Sequence, residues 1–245
     1  MYTVNIRHLF NLHRSQVIQL TLLGVLLVGC AENAGAQGQG YVRKHLEFYD
    51  DKPVHFGFLF AMPVNRYVVR TSDAYVSDTT VALFSPVTTA FRMGFTISKV
   101  LSEHFDIRTT PSVTLYGRTL TYQYANSKRD KIRESTWVEV PLLLKYKSKR
   151  RVNTRMYLIG GVTFGFETNV KNKIRFGADQ LNTNKSDITL DYGVGLERFF
   201  EFFKFAPELR FSHGLINMVP STGMQTTPGI ERLTTHAVSI YLNFE

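Results

Sequence analysis

From residue 54 onward, apolar and polar side chains alternate with a period of two, and this pattern is what a half-buried β-strand imposes on a sequence. The first such segment sets Val54, Phe56, Phe58, Phe60 and Met62 on one face, with His55, Gly57, Leu59 and Ala61 on the other. A second puts Phe91, Met93, Phe95 and Ile97 opposite Arg92, Gly94, Thr96 and Ser98. In the third, Ile107, Val113 and Leu115 lie opposite Arg108, Ser112, Thr114, Tyr116 and Arg118, and in the fourth Val138 to Tyr146 alternate against Trp137, Glu139, Pro141, Leu143 and Lys145. The second half repeats the scheme around Met156–Phe166 against Arg155, then Leu190–Leu196 against Asp191 and Glu197. Leu209–Leu215 follow against Glu208 and Arg210, and Val238–Phe244 close the series. Eight strands are predicted. The intervals between them alternate short (101–105, 148–152, 200–204) and long (63–88, 123–134, 169–187, 216–234), as in antiparallel outer-membrane barrels with short periplasmic turns and longer external loops.

The chemistry of the two faces chooses the solvent. One face is apolar throughout, and the other collects Gly, Ser and Thr together with charge. A soluble barrel would turn its apolar face inward. A charged, small-residue lumen with an apolar exterior instead suits a bilayer, where every backbone group must be paired and a lipid-facing cation costs about 2–4 kcal/mol at mid-depth. The expected fold is therefore an all-β, eight-stranded antiparallel transmembrane β-barrel. Tyr122, Tyr124, Tyr146, Phe199, Phe200, Phe202 and Phe203, near strand ends, are expected in the interfacial girdles.

Residues 1–36 read as an export signal. Arg7, His8, His13 and Arg14 precede the apolar run Val17–Gly29, which is too short for a membrane-spanning helix, and Ala34-Gly35-Ala36 has the small-x-small form of a cleavage site. Leu27-Val28-Gly29-Cys30 also has the form of a lipoprotein box, so cleavage before Gln37 and lipidation at Cys30 are both open readings. Cleavage before Gln37 would remove the chain's one cysteine and with it thiol, disulfide and cysteine–zinc chemistry. The expected layout is signal 1–36, periplasmic segment 37–52 and barrel 53–245, with both mature ends in the periplasm and the protein in the outer membrane.

A net charge of +9 would suit nucleic acid or anionic lipid, and export selects lipid. Lys128, Arg129, Lys131 and Arg133, and then Lys171, Lys173 and Arg175, fall in the expected external loops, where they would meet lipopolysaccharide phosphates. The turn Lys149-Arg150-Arg151 faces the other way. Arg92, Arg108, Arg118, Glu139, Lys145, Arg155, Asp191, Glu197, Glu208 and Arg210 project into the lumen. In so narrow a barrel they are expected to pair into a plug, because eight strands leave an interior that side chains fill. No nucleophile elbow, phosphate-binding loop or metal-ligand spacing stands in the chain, so no catalytic residue, cofactor or metal is expected. His55, His104, His213 and His236 lie in four separate regions and are expected to be strand or turn residues rather than ligands. Ser186-Asp187, His213 and His236 are the scattered candidates a membrane hydrolase or acyltransferase would offer. Gly160-Gly161, Gly165, Gly193 and Gly195 are expected to permit curvature or close packing under large lumen side chains.

Four stretches resemble the PorT family of small barrels in the type IX secretion system of Bacteroidetes. They are Lys52-Pro53-Val54-His55-Phe56-Gly57-Phe58, Val138-Glu139-Val140-Pro141-Leu142-Leu143-Leu144-Lys145-Tyr146, Phe205-Ala206-Pro207-Glu208-Leu209-Arg210-Phe211-Ser212 and Tyr241-Leu242-Asn243-Phe244-Glu245, joined by the turn Ser102-Glu103-His104-Phe105. The fourth-strand stretch resembles many Bacteroidetes barrels, and the first and seventh together are more particular to this family. The resemblance implies a non-enzymatic part in exporting proteases and adhesins that carry C-terminal sorting domains, with other secretion-system subunits as partners. A small barrel enzyme and a structural or adhesive barrel are the competing readings.

Overall fold

The computed structural model describes residues 43–71, 81–124, 128–168, 183–219 and 230–245, which form one unit from Arg43 to Glu245. The expected signal at 1–36 and the lysines and arginine at 171, 173 and 175 lie outside them. So do the side chains of Tyr124, Lys128, Arg129, Lys131 and Arg133. All regular structure among the described residues is β.

The elements in chain order are β1 (Val54–Thr71), β2 (Val81–Phe84), β3 (Thr88–Thr89), β4 (Phe91–Val100), β5 (Phe105–Thr109), β6 (Ser112–Tyr124), β7 (Lys128–Lys147), β8 (Thr154–Thr168), β9 (Ser186–Phe199), β10 (Lys204–Gly214) and β11 (Ile230–Phe244). Every pairing is antiparallel, and the sheet closes on itself. β1 pairs with β11 from Phe58 opposite Phe244 to Arg70 opposite Arg232, and on its other edge with β4 from Val54 opposite Lys99 to Ala61 opposite Arg92. The element count exceeds eight because prolines interrupt continuous strands. β5 and β6 keep one register against β7, with Arg108 opposite Leu143 and Ser112 opposite Glu139, so they are one stave broken at Thr110-Pro111 where proline has no N–H to donate. The break stays tied down, since the Pro111 carbonyl accepts from Phe95 N at 3.0 Å. β3 and β4 likewise share their register against β1, interrupted beside Pro63, whose carbonyl accepts from Ala90 N at 2.7 Å. β2 pairs with β6, the same neighbour as β4, and is separated from β3 at Ser85-Pro86-Val87, so β2, β3 and β4 make one stave and the closed ring has eight staves.

Alternation places the side chains as their chemistry demands. Phe56, Phe95 and Met156 are 69%, 70% and 64% exposed on the outer wall, while Leu59, Arg108, Glu197 and Tyr241 are at most 1% exposed inside. Several expected boundaries are corrected. β1 runs on to Thr71, β7 starts at Lys128 and β11 at Ile230, all within stretches expected to be loops, and Phe105 and Lys204 open strands rather than ending turns. The apolar outer face gives way to polar residues here while the inner face stays buried at Tyr67, Leu120, Tyr122 and Leu233, and hydrogen-bonded pairing between β6 and β7 continues to Gln123 opposite Lys128. Two expected girdle aromatics are inside: Tyr122 is 3% and Phe199 2% exposed. Tyr146, Phe200, Phe202 and Phe203 are on the outside.

Candidate functional site: the charged lumen

Inward positions of the staves hold Arg92, Arg108, Arg118, Lys145, Lys147, Arg155, Lys204 and Arg210 against Asp106, Glu139, Asp187, Asp191, Glu197 and Glu208, all buried, and against the buried Glu245 side chain. A buried ion needs an opposite charge and satisfied hydrogen bonds to offset its lost hydration. The lumen meets that need in three tiers.

At the turn end, Glu197 of β9 is the hub. It takes Lys145 of β7 and Arg155 of β8 directly and Lys204 of β10 at 3.0 Å, with Arg108 at 3.9 Å. Glu245 is a second hub, accepting from Arg108 at 2.9 Å, from Lys204 at 2.7 Å and from the Tyr49 hydroxyl at 2.6 Å. Asp106 binds Lys147 at 2.7 Å. Burial works against the charged form of Glu245. Lys204, Arg108 and Lys145 outweigh it and hold this carboxyl well below the usual carboxylate range.

In the middle tier, Glu208 accepts from Arg210 Nε at 2.7 Å and from the Tyr157 hydroxyl at 2.8 Å, and Arg210 lies 4.0 Å over the Tyr241 ring. Toward the loop end Arg92 pairs with Glu139, bonds Thr114 and Tyr116 at 2.8 Å each, and contacts the Tyr241 hydroxyl. Asp191 accepts from Thr163 at 2.7 Å and Thr189 at 2.9 Å. Arg118 has an aromatic setting instead, 4.0 Å over Tyr116 and 5.5 Å from Trp137. Such stacking suits a weakly hydrated guanidinium.

The packing leaves a cavity of about 20 Å³ between Arg92, Glu139, Asp187 and Asp191, enough for roughly one water. Glycines make room for the large side chains. A Cβ on Gly195 would fall on the Tyr157 ring, and one on Gly165 would stand 3.2 Å from Trp137.

The turn-end mouth is covered by residues 43–53. Tyr49 stacks on His55 with ring centroids 4.0 Å apart, and Asp50 binds Arg155 at 2.8 Å. His45 N donates to Asn153 Oδ1 at 2.8 Å, and Asn153 Nδ2 donates to the Arg43 carbonyl at 3.0 Å. Arg150 lies 3.7 Å over Phe199 and donates to the His45 and Leu46 carbonyls, so this basic turn residue holds the chain's own strap. Burial, followed by the nearby Glu245 charge, pushes the Tyr49 hydroxyl well above its ordinary range. Nothing in the periodic pattern marks this strap, because it is not a strand.

All ten lumen residues expected from the sequence are inside the ring. Asp106, Lys147, Lys204 and Glu245 were missed because they sit at strand ends. Asp187 was singled out only beside Ser186, as a scattered polar residue, and the structure places it inside the ring. The scattered polar residues do not assemble into a relay: Asp187 faces inward and accepts from Thr235 at 2.6 Å, while His213 and His236 sit at alternating positions on the outer face. The expectation that the histidines stay apart is corrected for this pair, whose Nδ1 atoms are 3.0 Å apart. Among the described residues no group of three or more His, Cys, Asp or Glu is placed to hold a metal ion.

No curated protein matches the chain. Solved structures that it resembles include the outer membrane protein OprG from Pseudomonas aeruginosa, 9% identical over 78% of this chain and 92% of that one, with a TM-score of 0.46. Neisserial surface protein A is 9% identical over 78% and 98%, TM-score 0.43, and the outer membrane enzyme PagL is 11% identical over 76% and 97%, TM-score 0.36. The model of the outer membrane protein β-barrel domain matches residues 36–219, most of the chain, and the protein belongs to that family.

Proposed function

We propose that this protein is a non-enzymatic outer-membrane component of the type IX secretion system, required for export of proteases and adhesins that carry C-terminal sorting domains. The observation that carries the reading is the filled lumen. Its inward positions are taken up by buried, paired side chains, so the barrel passes no polypeptide, and a role in export is then exercised through its surfaces. The family membership supports the outer-membrane barrel part of the assignment, and the four PorT-like stretches support the secretion role. The barrel spans the membrane with both ends and its short turns in the periplasm and its longer loops outside. The strap-bearing turn end meets other secretion-system subunits.

The test is deletion of the gene with complementation by the wild-type chain. Secreted protease activity is expected to vanish from the medium, with its precursors held in the periplasm, and to return on complementation. Unchanged secretion would overturn the assignment. A second arm concerns lipopolysaccharide, for which the proposed contacts are Lys128, Arg129, Lys131, Arg133, Lys171, Lys173 and Arg175. Reversing these charges is expected to reduce lipopolysaccharide co-purifying with the folded barrel, and unaltered retention would remove that part of the proposal.

A further inference from the structure

On the outer wall near the loop end, His213 of β10 stands directly opposite His236 of β11. Their Nδ1 atoms are 3.0 Å apart, and His213 Nε2 lies 3.0 Å from the Tyr192 hydroxyl of β9. Tyr192 also stacks on the His213 ring, with centroids 5.5 Å apart and planes within 14°. The tyrosine fixes the ring and can accept the Nε2 proton. That tautomer leaves the His213 Nδ1 lone pair accepting from His236 Nδ1–H. Moving the His236 proton to its Nε2 frees both Nδ1 lone pairs for a metal ion, with Tyr192 as the outer partner that orients the His213 ring. Phe211 and Val238 lie one outward position nearer the turn end and Leu190 stands opposite His213 on its other side, with both imidazoles half-buried among them.

We propose that His213 and His236 chelate a divalent transition-metal ion, copper(II) above all, with Tyr192 as the positioning residue.

Two imidazole nitrogens bound at about 2.0–2.1 Å to one first-row ion are roughly 2.9 Å apart at a right angle and roughly 3.4 Å apart at the tetrahedral angle. The observed 3.0 Å is a hydrogen-bonded separation, and replacing its proton by a metal ion needs the smaller adjustment at the right angle of a tetragonal site, which copper(II) and nickel(II) adopt. Arg66 of β1 is the register partner of His236 on its other side, and its charge works against any cation bound there. Only an ion that bonds imidazole strongly overcomes that, and copper(II) stands at the top of the divalent affinity order. Water completes the coordination.

The test is titration of the full chain, folded in detergent, with copper(II) followed by electron paramagnetic resonance. One equivalent is expected to bind with a tetragonal spectrum showing two coupled nitrogens. His213→Ala and His236→Ala should each abolish that signal while the gel shift of the folded barrel persists. Tyr192→Phe should keep both nitrogens but weaken binding severalfold. Failure of the folded wild-type chain to bind copper would overturn the proposal, as would a two-nitrogen spectrum that survives both alanine variants. Neither outcome bears on secretion, which is read from the culture medium.

Discussion

Glu197 shows most clearly what a single residue does in this lumen. It is fully buried and holds Lys145, Arg155 and Lys204 together. Glu197→Gln keeps the shape and removes the charge, leaving three buried cations with too few partners. Breaking a buried ion pair from one side costs about 3–5 kcal/mol. The variant is expected to unfold at markedly lower urea, as read by loss of the fast-migrating species on unboiled gels. Glu245 adds a pH dependence of known sign. Its carboxyl titrates lower in the folded protein than in the unfolded chain, so its contribution is fully present above about pH 4.3, the ordinary glutamate value. It is lost as pH falls through the folded value. Urea midpoints measured from pH 6 down to pH 3 should fall for the wild type and fall less for Glu245→Gln. The inward charges were legible at the residue scale because alternation assigns each a face. Their partners were not, because pairing depends on which staves sit side by side and in what register.

At the scale of elements, the strap and the glycine positions explain how this ring is filled and closed. Tyr49→Phe removes one hydrogen bond to a charged acceptor, worth about 1.5–3 kcal/mol. Arg150→Ala removes the donor to the His45 and Leu46 carbonyls. Either change is expected to expose residues 43–53 to limited proteolysis while the barrel still shifts on boiling, and equal protection in both variants would refute the strap's anchoring. Gly195→Val places side-chain atoms on the Tyr157 ring and should displace it from Glu208, lowering stability further than a surface Gly→Val change. Three breaks turn eight staves into eleven elements: Pro111 and Pro63 interrupt pairing without shifting register, and the interval at Ser85-Pro86-Val87 separates β2 from β3 with a one-residue shift against β6. The strands themselves were readable over the apolar wall, where period two is enforced by lipid on one side. Beyond it the strands at 128–134 and 63–71 continue without that enforcement, and the sequence reads as loop.

At the scale of the whole molecule, the described residues form a closed sheet with an apolar band on its outer wall and a ladder of paired charge inside. That inversion was visible from composition by face alone, since no water-soluble packing accounts for Phe56, Phe58, Phe60, Phe95 and Leu158 pointing outward together. The His213–His236 pair and the strap were invisible because both depend on contacts between segments far apart in the chain. A folded outer-membrane barrel is tested by electrophoresis of the protein from purified outer membranes, boiled and unboiled. The expected result is a species in the outer-membrane fraction that migrates fast when unboiled and shifts on boiling. A protein in the soluble fraction with the same mobility before and after boiling would contradict it.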